Sequence, residues 1–254
     1  MRRVSIIGIG AGDPEHVTVQ AVGALNAAHV FFVVTKRREQ DELVAARRAI
    51  LDRYVKGDRY RLVELVDPER RRGGSAAEQR AAVAEWRAAR STQWTRALTD
   101  ELGPEEHGAF LAWGDPGLYE STLTVLEDLR LAGTPTFTLD VVPGISAMTA
   151  LTARHRIALN RPGGAVQVTT GRRLAEEGLP AGVDDVVVML DADLAFAGLD
   201  AEGVQIYWGA YLGTHDELLV SGPLGEVAPE IERLRAEAKA RKGWIFDTYL
   251  LRRR

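Results

Sequence analysis

One kind of junction occurs three times in this chain: an apolar run ends in a glycine-containing turn, and helical periodicity follows. The turns are Gly-Ile-Gly-Ala-Gly-Asp-Pro at residues 8–14, Gly-Asp-Pro-Gly at 114–117 and Pro-Gly-Ile-Ser at 143–146. Strands that alternate with helices in this way form parallel sheets, and their loops gather at one edge. Ligands of open α/β sheets bind where strands end, so the turns predict a small-molecule site.

The central junction, residues 110–120, is the predicted floor of that site. Its sequence, Phe-Leu-Ala-Trp-Gly-Asp-Pro-Gly-Leu-Tyr-Glu, reads as a buried strand that runs into a sharp turn. The two glycines allow backbone to approach a ligand closely. Pro116 fixes one φ angle and has no N–H donor, which leaves the nearby carbonyl groups as acceptors.

The remaining pattern predicts a chain of alternating strands and helices, divided into domains at residues 1–144 and 145–254. The stretch 36–102 is an arginine-rich insertion in the first domain. Further strands are predicted at residues 29–34, 60–66, 136–142, 165–170, 185–190 and 204–208 and in the apolar tail 243–251, and helices at 17–28, 41–54, 76–98, 121–131, 146–155 and 227–242.

The charge balance and the absence of cysteine exclude several classes of protein function. Lys+Arg 32 against Asp+Glu 36 gives no excess of positive charge, which argues against a dedicated nucleic-acid binder. The absence of cysteine excludes disulfides, thiol catalysis and iron–sulfur ligation. No metal-ligand spacing is visible, so no metal is expected. The apolar run at residues 4–7 is too short for a signal peptide and no stretch approaches a membrane span, so we expect a cytoplasmic protein without membrane contact.

A dinucleotide-binding regulatory protein is one alternative, because strand, glycine loop, helix and strand follow in the order of a Rossmann unit. The glycines stand at positions 8, 10 and 12 rather than in the spacing G-x-G-x-x-G. The second strand ends in Thr-Lys-Arg, with no acidic residue for a ribose. These differences favour another kind of ligand.

A cluster of three arginines, Arg70, Arg71 and Arg72, precedes a glycine pair at residues 73–74. Guanidinium groups bind carboxylates in a bidentate manner, so this segment suits a loop that closes over an anionic ligand. The alternative is that these arginines face solvent.

The three turns together resemble those of the tetrapyrrole (corrin and porphyrin) methyltransferase family. The matching motifs lie at residues 7–14, 114–116 and 142–146, in the family's order. The resemblance implies two α/β domains, with a parallel-rich N-terminal sheet, a smaller mixed C-terminal sheet and the active site between them. It also implies a homodimer that transfers a methyl group from S-adenosylmethionine to a tetrapyrrole and releases S-adenosylhomocysteine.

Within the family, the insertion and the closing Gly-Trp-Ile-Phe-Asp-Thr-Tyr-Leu resemble members that convert precorrin-5 to precorrin-6A in aerobic cobalamin biosynthesis. That reaction methylates C-1 and releases acetate. A relative that methylates another ring position stays an alternative.

The resemblance also implies which residues bind each ligand. The carboxylates of the ring would be bound by Arg161 and Arg172 together with the 70–72 loop. Met189 would lie beside the adenine, although its alternative is plain strand core. The residues implied for S-adenosylmethionine are Ala11, Trp113, Gly114, Asp115, Leu118, Ser146, Ala147, Met189, Gly209 and Ala210.

Loss of the acetyl group requires a base and a group that polarises the carbonyl. The candidates on or just after the glycine turns are Asp13, His16, Tyr119 and Glu120. Asp13 and Asp115 have an alternative role as turn-forming residues whose side chains bond to their own backbone.

Overall fold

The computed structural model describes residues 1–35, 41–57, 60–69, 71 and 76–253. The chain forms two compact units. The first comprises Met1–Gly10 and Pro14–Ile145, and the second comprises Ala11–Asp13 and Ser146–Arg254. The units meet between residues 145 and 146, one residue after the expected boundary between 144 and 145. That residues 11–13 belong to the second unit was not expected.

The first unit is a parallel sheet in the order β3-β2-β4-β1-β5. Helices connect its strands, as the alternating pattern predicts. Its strands are β1 (Arg2–Gly8), β2 (Val30–Thr35), β3 (Arg61–Val66), β4 (His107–Ala112) and β5 (Phe137–Val142); its helices are α1 (Val19–Ala27), α2 (Asp41–Tyr54), α3 (Ala76–Asp100) and α4 (Ser121–Ala132), and a short 3-10 helix covers Pro14–His16.

Both faces of this sheet are buried, which explains the continuous apolar runs of its central strands. In β4, Phe110 packs in one core with Trp94 of α3 and Leu126 of α4. Its neighbour Leu111 points to the other face and packs in a second core with Leu25 of α1. The period-two alternation of side chains in a strand thus divides one apolar run between two cores.

The second unit contains a mixed sheet in the order β6-β7-β10-β8-β9. β6 and β7 are parallel, and the other neighbouring pairs are antiparallel. The elements are α5 (Ala147–His155), β6 (Val166–Thr170), α6 (Gly171–Glu177), β7 (Asp185–Met189), β8 (Val204–Ala210), β9 (Leu218–Pro223), α7 (Leu224–Lys242) and β10 (Asp247–Arg253), with a 3-10 helix at Ala195–Gly198.

The apolar C-terminal tail forms the central strand of this sheet. β10 lies between β7 and β8, and Tyr249 and Leu250 are fully buried. At its start, Asp247 forms a buried ion pair with Arg235 of α7 at 2.8 Å. Burial raises the pKa of the Asp247 carboxyl, and the Arg235 guanidinium opposes that shift.

The predicted fold class, two α/β units with a parallel first sheet and a mixed second sheet, is confirmed. In the described residues each sheet has five strands, so the second sheet is not smaller in strand number. Among the strands and α-helices described, α6 and β9 were not predicted. β9 ends in Gly-Pro, which is also a turn signal, and it lies at the edge of the sheet, where a proline in a strand is tolerated.

Candidate active site

Three neighbouring parallel strands of the first unit end at one edge of the sheet. Gly8, the last residue of β1, pairs with Ala112, the last residue of β4, and β5 lies on the other side of β1. The turns that follow are in contact. A Cβ on Gly144 would lie 2.1 Å from the carbonyl oxygen of Gly114 and 2.8 Å from the Cα of Gly8. The predicted turns therefore gather at this carboxyl edge, where α/β sheets bind ligands.

The Asp115 carboxylate joins two of these turns. Its Oδ1 accepts a hydrogen bond from the Gly117 N–H at 2.8 Å, which closes its own turn. Its Oδ2 accepts from the Gly144 N–H at 2.9 Å, which connects that turn to the one after β5. The structure thus gives Asp115 the turn-forming role, and it extends that role to a second turn.

The carbonyl groups of the central turn are already engaged inside the first unit. The Gly114 carbonyl accepts from the Gly10 N–H at 3.3 Å, and the Gly114 N–H donates to the Gly10 carbonyl at 2.8 Å. The Asp115 carbonyl accepts from the Leu118 N–H at 3.2 Å. Each carbonyl oxygen has a second lone pair, so the expected acceptor role is reduced and not abolished.

His16 lies against the first glycine loop. A Cβ on Gly10 would be 2.4 Å from the Cβ of His16, which is the last residue of the 3-10 helix Pro14–His16. The His16 Nδ1 atom is buried and has no hydrogen-bond partner among the described residues. Most buried polar atoms are paired, so this atom is an exception. Asp13 is half-buried and belongs to the second unit.

Tyr119 and Glu120 follow the central turn but differ in environment. Tyr119 has a φ of 53°, unusual for a residue with a side chain, and is 47% exposed. Glu120 is the N-cap of α4, and its Oε1 accepts from both the N–H and the hydroxyl of Thr122 at 2.8 and 2.7 Å. Sequence reasoning missed this capping role because it interpreted the acid next to the turn as a base.

The other predicted cofactor residues of the first unit are Trp113 and Leu118. Both are half-buried, and Trp113 packs against the core that contains Leu111. Trp113 directly precedes Gly114, so its backbone belongs to the contacting turns.

In the second unit, Met189 and Gly209 lie in one row across the sheet. Thr248 of β10 pairs with Met189 on one side and with Gly209 on the other. Met189 is half-buried, and Leu190 after it is 63% exposed with a φ of 54°. Met189 is therefore at a strand end and not in plain strand core. Sequence reasoning did not single out Thr248, which the apolar tail places in this row.

Segment 11–13 packs beside the loop that follows Ala210. A Cβ on Gly12 would lie 2.4 Å from the Leu212 carbonyl oxygen. Ala11 and Ala210 are both buried. This packing explains why these three residues belong to the second unit, and it brings Ala11 towards the β8 end that carries Gly209.

Ser146 and Ala147 begin the helix that follows the third turn. The Ser146 hydroxyl is the N-cap of α5 and accepts from the Thr149 N–H at 3.2 Å. Ala147 is the first helical residue and is half-buried. The cap accounts for a serine at this place in the Pro-Gly-Ile-Ser turn.

The predicted substrate arginines separate into three groups. Arg161 lies near the start of β7, since its N–H donates to Asp185 at 3.2 Å and its guanidinium donates to the Arg253 carbonyl. That is the sheet edge opposite to Met189, so the structure does not bring Arg161 together with the predicted cofactor residues. Arg172 is exposed and follows β6, whose last residue pairs with Met189. Arg71 is exposed, whereas Arg70 and Arg72 lie outside the described residues.

Two features are absent from the described part of the chain. It contains no group of three or more His, Asp or Glu side chains arranged to hold a metal ion. None of its helices is long and apolar enough to cross a membrane.

The first unit has a parallel sheet with three contacting glycine turns at its carboxyl edge, and the second has a mixed sheet. These features define the class as a two-unit α/β protein with a candidate small-molecule site at the carboxyl edge of the first sheet.

Comparison with known proteins identifies the family. The model of the Tetrapyrrole (Corrin/Porphyrin) Methylases matches residues 3–228. A precorrin-6A synthase (deacetylating) from Sinorhizobium sp is 47% identical over 253 residues, which cover 100% of this chain and 96% of the relative. The chain therefore belongs to the tetrapyrrole methylase family, and the predicted family is confirmed.

Solved structures agree. The cobalamin synthesis related protein CobF from Corynebacterium diphtheriae is 34% identical, with a TM-score of 0.82 and coverage of 100% of this chain and 99% of that one. A uroporphyrin-III C-methyltransferase from Thermus thermophilus, solved with S-adenosylhomocysteine, is 18% identical, with a TM-score of 0.58 and coverage of 98% and 91%. The second likeness shows a shared fold.

The contact of the turns predicts a strong difference between two Gly→Ala variants. In Gly144→Ala the new methyl group would overlap the Gly114 carbonyl, so the turns must separate. We expect the free energy of unfolding to fall by about 1–3 kcal/mol, the usual cost of overpacking. Urea unfolding, followed by circular dichroism, measures this change.

The matched control is Gly23→Ala in α1. Gly23 is exposed, and a Cβ there would meet nothing within 4 Å. Alanine at this site should stabilise the protein by roughly 0.5–1 kcal/mol through its higher helix propensity. Equal effects of the two variants would contradict the described turn contact.

Proposed function

We propose that this chain is an S-adenosylmethionine-dependent C-methyltransferase that converts precorrin-5 to precorrin-6A, with methylation of C-1 and release of acetate. The observation that carries this proposal is the 47% identity, over the whole chain, to a precorrin-6A synthase (deacetylating). Because the match includes 96% of that relative, it supports the same reaction and not merely the same fold.

The described residues fit S-adenosylmethionine. The exposed Leu190 beside Met189 offers an apolar surface for an adenine ring, and the glycine turns leave carbonyl lone pairs for positively charged groups. We therefore propose that the cofactor contacts are the residues that the family resemblance implies. The proposed contacts are Trp113, Gly114, Asp115 and Leu118 of the first unit and Ala11, Ser146, Ala147, Met189, Gly209 and Ala210 of the second.

The substrate is a ring with many carboxylates, so its site needs local positive charge although the chain has a net charge of −4. Arg172 is exposed at the same sheet edge as Met189, and Arg71 is exposed after β3, which supports a role for both. Arg70 and Arg72 stay predictions. Arg161 is omitted, because its guanidinium is engaged at the opposite edge.

S-adenosylmethionine supplies an electrophilic methyl group. In the proposed reaction, water adds to the acetyl carbonyl, the bond from that carbonyl to C-1 breaks, and acetate leaves. The electron pair left on C-1 would form the new bond to the methyl carbon, whose bond to sulfur would break with release of S-adenosylhomocysteine. We assign the proton of the attacking water to His16, whose buried Nδ1 has no hydrogen-bond partner among the described residues. Asp13 is the second candidate for this role.

Tyr119 and Glu120 receive different roles in the proposal. The exposed Tyr119 hydroxyl can donate to the acetyl carbonyl. Glu120 holds the start of α4 through its cap, so we assign it a structural part in the site.

The expected homodimer, the cytoplasmic location and the absence of nucleic-acid binding stay parts of this proposal. They rest on the family resemblance and on the balanced charge of the chain.

The product of the reaction tests the proposal. The protein is incubated with S-adenosylmethionine and precorrin-5, and the tetrapyrrole is analysed by mass spectrometry. We expect one methyl group gained, one acetyl group lost and acetate in solution. Methyl gain alone would favour a relative that acts at another ring position, and an unchanged tetrapyrrole would contradict the proposal.

The role of His16 predicts the effect of His16→Ala. Alanine keeps the Cβ that packs on Gly10 and removes the imidazole. We expect the rate of acetate release to fall by about 100-fold or more, the usual contribution of a general base. Single-turnover kinetics with saturating S-adenosylmethionine measures this rate.

The control for this variant is His29→Asn at the opposite sheet edge. The His29 Nδ1 accepts from the His107 N–H at 3.1 Å, and an asparagine oxygen can take over that bond. We expect this variant to keep the parent rate. If His16→Ala kept the full rate of acetate release, the assignment of His16 as the general base would be wrong.

A further inference from the structure

A buried ion pair lies in the described part of the predicted insertion. Arg90 of α3 is 2.9 Å from Asp67, measured between Nε and Oδ1, and their side chains are only 7% and 8% exposed. Asp67 directly follows β3, so the pair lies at the carboxyl edge of the sheet, where the glycine turns gather. Burial lowers the pKa of the Arg90 guanidinium, and the attraction of Asp67 opposes that shift.

Two indole rings fix the orientation of this guanidinium. The Arg90 Cζ lies 4.5 Å from the ring centroid of Trp86 and 4.8 Å from that of Trp94. Trp94 is fully buried and packs against Phe110 of β4, with ring centroids 4.7 Å apart. A planar guanidinium stacked in this way has little freedom to rotate, and a lysine could not reproduce the stacking.

A third contact connects Arg90 to the central turn. Its Nη1 donates to the Ser121 hydroxyl at 2.6 Å. Ser121 is the first residue of α4 and follows Tyr119 and Glu120. The Glu120 carboxylate also attracts the guanidinium of Arg90 and that of Arg47 in α2. One buried side chain therefore joins the end of β3, α3 and the start of α4.

Stability alone does not explain this arrangement. A buried ion pair can often be replaced by apolar residues without loss of stability, because desolvation offsets the attraction. The central turn, by contrast, needs support at both ends: Asp115 holds its beginning, and Tyr119 near its end has a positive φ. Arg90 holds the segment that follows.

We propose that Arg90 is a positioning residue for loss of the acetyl group, which fixes Tyr119 and Glu120 at the substrate side of the central turn. This inference rests on the proposed function. In this proposal the insertion at residues 36–102 has two parts in the reaction. Its 70–72 loop would bind the carboxylates of the ring, and Arg90 would set the geometry in which the tetrapyrrole reacts. Binding of S-adenosylmethionine depends on other residues of the turn and is independent of Arg90.

The test uses Arg90→Lys and the double variant Asp67→Asn/Arg90→Met. The lysine keeps the charge and loses the planar fork, whereas the double variant removes both charges and leaves no unpaired charge buried. For both we expect kcat/KM for precorrin-5 to fall by about 10-fold or more, since small displacements of reacting groups are costly. The Kd for S-adenosylhomocysteine should stay within about twofold of the parent value, a change of less than half a kcal/mol.

The control is Arg61→Gln/Glu106→Gln. This pair is also an arginine–carboxylate contact, with a distance of 2.8 Å, but its side chains are 52% and 29% exposed, and it lies at the opposite edge, where β3 and β4 begin. We expect its kcat/KM to equal that of the parent.

Hydrogen exchange supplies a readout that does not depend on activity. The Thr122 N–H bonds to Glu120, in the segment that Arg90 holds through Ser121. We expect peptides that cover residues 119–123 to exchange faster in Arg90→Lys than in the control. Unchanged exchange there, or an unchanged kcat/KM per folded molecule, would overturn the inference. A parent protein without methyl transfer would instead overturn the proposed function, and the exchange rates would still decide the positioning role.

Discussion

The Asp115 carboxylate is the contact on which the candidate site depends. Its two oxygens accept from the N–H groups of Gly117 and Gly144, so one side chain closes the turn after β4 and holds the turn after β5 against it. An ionised carboxylate that accepts backbone N–H bonds makes stronger hydrogen bonds than a neutral acceptor. The distance of 2.1 Å that a Cβ on Gly144 would have from the Gly114 carbonyl shows how closely the turns approach. Glycine at that position is therefore a steric requirement, and the same lack of side chains opens the backbone to a ligand.

Much of the fold followed from the sequence because periodicity reports burial directly. The strands β1, β2 and β4 of the first sheet are mostly buried and read as apolar runs, and the helix at Asp41–Tyr54 was predicted at its observed bounds. Prediction failed where local signals were ambiguous. The strand Leu218–Pro223 ends in Gly-Pro, which is also a turn signal, and only its place at the sheet edge permits the proline. Segment 11–13 belongs to the second unit because it packs against Leu212, and no local sequence pattern reveals such a tertiary contact.

The sequence predicted which residues lie at the glycine turns more readily than it predicted the role of each side chain. The turn motifs located the carboxyl edge correctly, but an acid after a turn can be a base, a cap or a connector between turns. Glu120 caps α4 and Asp115 connects two turns, and these roles depend on distances to groups far apart in sequence. The family resemblance implied Arg161 as a substrate residue, but the sequence gives no information about which sheet edge this side chain reaches. Arg90 was one of many arginines in a helix, and only packing distinguishes it from solvent-facing ones.

Isothermal titration calorimetry of S-adenosylhomocysteine, with the parent protein and Asp115→Asn, tests the central claim most directly. An amide at this position keeps the size of the side chain but has one acceptor oxygen, so one of the two backbone N–H groups loses its partner. We predict that the parent binds S-adenosylhomocysteine and not NAD, and that Asp115→Asn weakens this binding by about 10-fold or more, because one hydrogen bond to a charged acceptor is lost. Equal affinity in the two proteins, or binding of NAD in place of S-adenosylhomocysteine, would contradict the account.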